Sequence, residues 1–385
     1  MRKKERTFVL FFAALSVAGG CAHTAKTGEQ HVTMETMVFE AHPSTGKVEL
    51  VDAEGLFERA GAAFQEKQFA DAVKLYDQLV ERFPDSRYAT PALYNAGLSL
   101  ENQSDLAGAA DRYRKMIARG GANNDLLDAF FRLGGVFEAQ KNWTAAAENY
   151  AQVLERKELT NSDRAEATAR RGVAQFNLKD LGAAERTLRE VLAFVRAHET
   201  EERLDTDYFV GMAAFYVGEI AHEQYRALPI RLPEKQLERD LEAKARMLLQ
   251  AQARYVDAMK VNNAEWATAA GFEIASLYRE FYDDLVGAPV PPQLTGEARE
   301  VYLDELKKQV RTLLQKAIAV HEKNVLMAER VGVKNDWVRR SNEQMDELRK
   351  LLVPGPTAPA ATPPPPAEAP PLPKPRDDVQ PHVIM

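Results

Sequence analysis

The sequence predicts an all-α chain, an α-solenoid of stacked antiparallel helical hairpins between an N-terminal tether and a proline-rich tail. Three observations carry that prediction. From about Glu54 to Leu352 apolar residues recur with helical spacing. Ala72, Ala109 and Ala146 lie 37 residues apart, and each is followed four residues later by a tyrosine, Tyr76, Tyr113 and Tyr150. Twelve residues before each alanine stand Ala60, Gly97 and Gly134. A small residue lets the two helices of a hairpin approach closely, and residues at i and i+4 share a helix face, so alanine and tyrosine act together. Self-similarity at a fixed period marks a repeat architecture, and stacking follows because one hairpin cannot bury its own apolar face.

In chain order, residues 1–20 come first. Arg2, Lys3, Lys4 and Arg6 precede an uncharged apolar run at residues 8–18, and small residues lead to Cys21, the only cysteine of the chain. The run is shorter than the roughly 20 residues of a membrane span, so the segment reads as a cleaved signal. A lone cysteine closes no intrachain disulfide. Ala18-Gly19-Gly20-Cys21 resembles the lipobox of bacterial lipoproteins, with alanine in place of the more usual leucine. The resemblance implies cleavage before Cys21, diacylglycerol on its thiol and an acylated new N-terminus. Several acyl chains, at about 0.8 kcal/mol per buried methylene, anchor far more firmly than one. Ala22 rather than aspartate after the cysteine implies, in such lipoproteins, the outer membrane, with the body facing the periplasm.

Residues 21–52 read as the lipidated cysteine and a polar tether. Within it VTMETMVFEA and KVELVD partly alternate around HPSTGK, which fits a small hairpin as well as it fits disorder. Residues 53–200 hold about four repeats. They resemble the tetratricopeptide repeat, a helix-turn-helix unit with the pattern W-x2-L-G-x2-Y…A-x3-F…P. Leu133-Gly134-x2-Phe137 with Ala146-x3-Tyr150 matches it in part, as do Ala72-x3-Tyr76 with Pro84 and Ala96-Gly97-x2-Leu100 with Ala109-x3-Tyr113. Gly172, Ala184 and Leu188 mark a fourth unit. Leu56, Leu93, Phe130 and Thr168 stand where the family carries tryptophan. The expected packing positions are Ala72, Tyr76, Gly97, Ala109, Tyr113, Gly134, Ala146 and Tyr150.

Residues 201–353 predict longer, irregular hairpins. Helices are expected at 209–227, 234–260, 265–285, 297–331 and 336–352, with breaks at Pro229, Pro233 and GAPVPPQLTG, and with Trp337 in a terminal cap. Gly271 and Ala317 look like repeat positions separated by an insertion, which puts His321 where earlier units carry tyrosine. Residues 354–385 form the proline-rich tail. Its first 23 residues favour polyproline II and reach on the order of 70 Å.

The formal net charge is −7, and the signal carries four cations and one anion, which leaves −10 after cleavage. An acidic body of mean hydropathy −0.39 argues against a nucleic-acid groove, which needs clustered cations. No histidine pair has HExxH spacing, so no metal site is expected, and no cofactor. There is no GxxxxGK[ST], GxGxxG or GxSxG, and no Glu-Ser pair of the kind lytic transglycosylases carry. Acidic neighbours such as Asp283-Asp284 read as solvated helix faces. A non-enzymatic protein-binding surface remains, without a small-molecule substrate. In tetratricopeptide proteins the first helix of each repeat lines a concave groove. The repeat phase then gives Phe57, Phe64, Tyr94, Asn102, Phe131, Glu138, Phe176 and Asn177 as the partner-binding face, the alternative being that the rings simply pack between hairpins.

The expected function is a scaffold lipoprotein holding envelope proteins, integral or periplasmic, in a multiprotein machine. The layout resembles repeat lipoproteins of the gliding-motility apparatus and, over residues 21–200, that of the β-barrel assembly complex. A cell-wall-acting enzyme or its regulator is the alternative from another class. The tail is expected to act as a spacer or to contact the cell wall.

Overall fold

A computed structural model describes residues 37–41, 48–121, 123–198 and 207–352. The signal, Cys21, HPSTGK and the proline-rich tail lie outside the described residues. Thirteen helices and one two-stranded sheet make up the described chain.

The sheet settles part of the tether as structure. Strand β1 (Met37–Ala41) pairs antiparallel with β2 (Val48–Asp52), Phe39 opposite Leu50 and Val38 opposite Val51. Period-two alternation turns Val51 inward, where it is buried with Leu56 and Ala60, and leaves Phe39 and Leu50 exposed. Strand β2 runs straight into α1 (Ala53–Gln65), whose N-cap Asp52 accepts from the Gly55 backbone N–H at 2.7 Å.

Helix α1 pairs with α2 (Phe69–Arg82), α3 (Ala89–Asn102) with α4 (Leu106–Arg119), α5 (Asn123–Ala139) with α6 (Trp143–Leu154), and α7 (Asn161–Asn177) with α8 (Leu181–His198). Each link within a hairpin has the same chemistry. Lys67, Ser104, Lys141 and Lys179 sit at φ of 56° to 63°, the left-handed conformation that turns the chain back. The next residue caps the second helix: Asp105 accepts from Gly108 at 2.9 Å, Asn142 from Ala145 at 3.3 Å and Asp180 from Ala183 at 3.0 Å. Only Gln68, in the first unit, makes no side-chain cap bond.

Close approach explains the glycines. A Cβ on Gly97 would stand 2.6 Å from the Tyr113 ring, one on Gly134 2.5 Å from Tyr150, and one on Gly172 2.6 Å from Leu188. Ala72, Ala109, Ala146, Tyr113 and Tyr150 are fully buried and Tyr76 nearly so. The expected packing positions therefore form the hairpin cores.

The second half keeps the logic with longer arms. Helix α9 (Asp207–Arg226) pairs with α10 (Glu234–Met259), and α11 (Ala264–Val286) with α12 (Gly296–Val331), closed by α13 (Asp336–Leu352). The expected ends of all five hold within two residues. A fifth unit is now visible: a Cβ on Gly218 would meet Tyr255 at 2.5 Å, and Ala251, four residues before that tyrosine, is buried. The sixth corrects the expected phase. The residue against Gly271 is Asn324, which a Cβ there would meet at 2.3 Å, and not His321. His321 is the i−3 neighbour of Asn324 on the same helix, and the long insertion removes the register that the regular units supply. Asn324 donates to Thr268 O at 2.9 Å, so a hydrogen-bonding side-chain amide replaces the tyrosine ring. Trp337 packs against Phe215 and Phe272, at ring distances of 6.1 and 5.6 Å, as a cap residue does. Asp284 departs from the solvated face expected of it. It accepts from Lys244 at 2.7 Å and Tyr225 at 2.5 Å, and neutralises the buried Lys244 ammonium.

Candidate functional site

The predicted groove residues fall into three groups. Phe57, Tyr94 and Phe131 repeat every 37 residues and are all half-buried. Each packs on the tyrosine of its own hairpin: Phe57 on Tyr76 at 5.7 Å, Tyr94 on Tyr113 at 5.9 Å, Phe131 on Tyr150 at 6.4 Å. They make a ladder of partly exposed rings, each resting on the tyrosine of its hairpin, with Phe57 also packed on Tyr88 at 5.2 Å.

Phe64, Glu138 and Phe176 share a second phase, to which Glu101 also belongs. Phe64 stacks edge-on with Phe69 at 5.5 Å, and Phe176 is buried against Tyr216 at 5.2 Å, so Phe176 offers little surface. Glu101 and Glu138 tie neighbouring units together. The Tyr113 hydroxyl donates to Glu101, and that of Tyr150 to Glu138 at 2.9 Å. Arg132, on the next first helix, stands 3.8 Å from Glu101, and Arg170 donates to Glu138 at 2.7 Å and to Glu166 at 2.9 Å. Burial first, and the Glu101 carboxylate second, push the Tyr113 phenol well above its ordinary value; burial does the same at Tyr150 against the lowering by Arg170, part of which the Glu138 charge offsets. Both phenols therefore stay protonated as donors. The sequence signal for Glu101, Arg132 and Arg170 is the repeat spacing itself, since Glu101 and Glu138 lie 37 residues apart and Arg132 and Arg170 lie 38 apart.

Asn102 and Asn177 form the third group. Each amide donates back to its own helix, to Leu98 O at 2.8 Å and Val173 O at 2.9 Å. They serve the last turns of α3 and α7.

A second constellation lies deeper, on α9, α10 and α11. His222 is fully buried and stands between carboxylates. Its Nε2 lies 3.2 Å from Glu280 and its Nδ1 3.0 Å from the Tyr255 hydroxyl, while Glu273 approaches Nδ1 at 3.8 Å. The Tyr255 hydroxyl also bonds Glu219. Burial first, and Glu219 second, push the Glu273 carboxyl up to about 8, and burial also raises Glu219. Glu280 goes the other way: burial raises it, but bonds from His222 and Arg226 prevail and hold it at about 2. Donor atoms of Glu219, His222 and Glu273 all lie within 4.8 Å of one another, a set able to hold a metal ion. Sequence reasoning missed it because Glu273 comes from another helix, 51 residues from His222. The Glu219-x-x-His222 spacing, which puts both on one helix face, was the available signal.

The tetratricopeptide-repeat family model matches residues 54–86 and 128–156. Among curated proteins no relative matches. Solved structures similar to the chain include YrrB, a tetratricopeptide protein with an unusual peptide-binding site, at 22% identity, covering 51% of this chain and 86% of its own, with TM-score 0.35. A tetratricopeptide repeat protein from Parabacteroides merdae is 14% identical, with coverages of 78% and 98% and TM-score 0.36. The C-terminal part of a repeat protein from Cytophaga hutchinsonii is 11% identical, with coverages of 76% and 95% and TM-score 0.41.

Proposed function

We propose that this chain is a non-enzymatic scaffold of the bacterial envelope, held at the periplasmic side of the outer membrane by lipid on Cys21. The observation that carries the binding role is the ladder of Phe57, Tyr94 and Phe131, half-buried at one repeat phase on successive first helices, beside the Glu101–Arg132 and Glu138–Arg170 struts. Rings that rest on a tyrosine lose little freedom on binding, and flanking charges select orientation, so an extended or helical peptide segment of a partner suits this face. Lipid at Cys21 confines the scaffold to one membrane and raises the effective concentration of whatever it holds. The lipobox-like residues 18–21 support the anchor.

The partner machine is of gliding-motility type in this reading, because the long second half and the proline-rich tail depart from the barrel-assembly resemblance, which covers residues 21–200. The test pairs two variants in the native cell. Cys21→Ser is expected to move the protein from the membrane fraction to the soluble periplasm. A triple Phe57→Ala, Tyr94→Ala, Phe131→Ala variant is expected to stay in the membrane and lose its crosslinked partners. Lost movement with normal growth supports a motility role; reduced porin levels on depletion assign barrel assembly instead. Retention of Cys21→Ser in the membrane overturns the anchor.

A further inference from the structure

We propose that Glu219, His222 and Glu273 form a binding site for one divalent transition-metal ion that staples α9 to α11. Glu219 and His222 occupy i and i+3 on α9 and face α11, from which Glu273 projects. Two nearly buried carboxylates thus point at one buried imidazole. Among the described residues Glu273 has no hydrogen-bond donor, and its only close cationic neighbour is His222 Nδ1 at 3.8 Å. Arg226 does not serve it: that guanidinium is engaged by Glu280 at 2.7 Å and Glu223 at 3.3 Å. Arg340 lies over the Phe272 and Trp337 rings.

The surroundings of His222 match those of a metal ligand. A ligating histidine gives its other N–H to a carboxylate, which fixes the ring and raises the basicity of the free nitrogen. Glu280 stands at Nε2 in that role at 3.2 Å, leaving Nδ1 aimed at Glu273 and Tyr255. The Tyr255 hydroxyl has one proton, and with that proton on Glu219 the donor between Nδ1 and Tyr255 is the ring. On binding, Nδ1 and one oxygen of each carboxylate bond the ion, the protons that these three groups carry leave to solvent, and the Tyr255 hydroxyl remains as the neutral fourth neighbour. Ligand atoms within 4.8 Å contract to about 3.4 Å around a tetrahedral ion, a shift of about 1 Å per side chain. One imidazole with two carboxylates suits zinc and its first-row neighbours and disfavours calcium, which takes only oxygen.

The experiment uses the full mature chain, freed of metal by chelation and titrated with zinc alone. Calorimetry is expected to show one site per chain, with proton release that varies with buffer, and the melting temperature is expected to rise with zinc. Glu273→Gln and Glu219→Gln keep volume and shape; each is expected to weaken zinc binding more than tenfold while leaving the circular dichroism of the metal-free protein unchanged. X-ray absorption of the zinc form is expected to show one imidazole and an otherwise oxygen shell. The proposal fails if the chelated protein neither binds zinc nor gains thermal stability from it, if both glutamine variants bind as the parent does, or if the shell contains sulfur or several imidazoles.

Discussion

Burial of His321 takes away the solvent that an imidazolium needs. The ring is 2% exposed, packs against Phe272 at 5.5 Å and leaves Nδ1 without a hydrogen-bond partner. Desolvation lowers its pKa from 6.5 to about 4. The unfolded chain therefore binds a proton between those values while the folded chain does not. The stability His321 contributes is complete above 6.5 and is lost as pH falls toward 4, by on the order of 3 kcal/mol. Replacing His321→Leu is expected to remove that slope, so urea midpoints of parent and variant should lie close at pH 7 and separate toward pH 4 as the parent alone loses stability. Equal pH dependence in the two proteins refutes this account. His321 also shows what one residue type tells from sequence: its packing role was readable from its place four residues after Ala317, its register was not.

At the scale of the element, the repeat is a set of interchangeable parts. Gly134 and Gly135 adjoin on α5 but face different surroundings. A Cβ on Gly134 meets the Tyr150 ring at 2.5 Å, and one on Gly135 meets nothing within 4 Å. Gly134→Ala should cost about 1–3 kcal/mol through overpacking, and Gly135→Ala should gain about 0.5–1 kcal/mol by restraining the unfolded chain. Thermal and urea unfolding of the pair decide this, and equal shifts refute it. The turns give a second case. Gln68 has nearly the backbone of Asp105 and Asn142, with φ near −80° in all three, yet it alone has no cap bond. Gln68→Asp should therefore stabilise α2 by about 1 kcal/mol, read as a raised urea midpoint. A neutral or lowered midpoint shows that the shared geometry is not sufficient. These parts were legible because each unit repeats the same contact at 37 or 38 residues, so one residue type recurs where one distance does. Where the insertion in α11–α12 breaks the period, the sequence placed His321 where Asn324 belongs. The deeper cluster escaped for a related reason: helices α9 and α11 bring Glu219 and Glu273 together by stacking, which leaves no short spacing to read.

For the whole molecule, stacking means that each unit leans mainly on its neighbours, so stability should vary along the chain rather than form one pool. The apolar clusters bear the pattern out in space. One joins Val51 to Ala96, a second Leu100 to Ala174, and the largest runs from Ala169 to Leu277 around α9. Leu56 sits in the first cluster and Ile220 in the last, both essentially inaccessible. Each cut to alanine removes a similar volume at a cost of about 2–5 kcal/mol, yet the consequences should differ. Leu56→Ala is expected to speed amide exchange in the β-hairpin, α1 and α2 while α9 keeps its protection. Ile220→Ala is expected to loosen α7 and α8 on one side and α10 and α11 on the other, because α9 packs against both. Exchange followed by mass spectrometry separates the two patterns. If both variants change protection uniformly from end to end, the chain unfolds as one cooperative body, and a surface read unit by unit loses its physical basis.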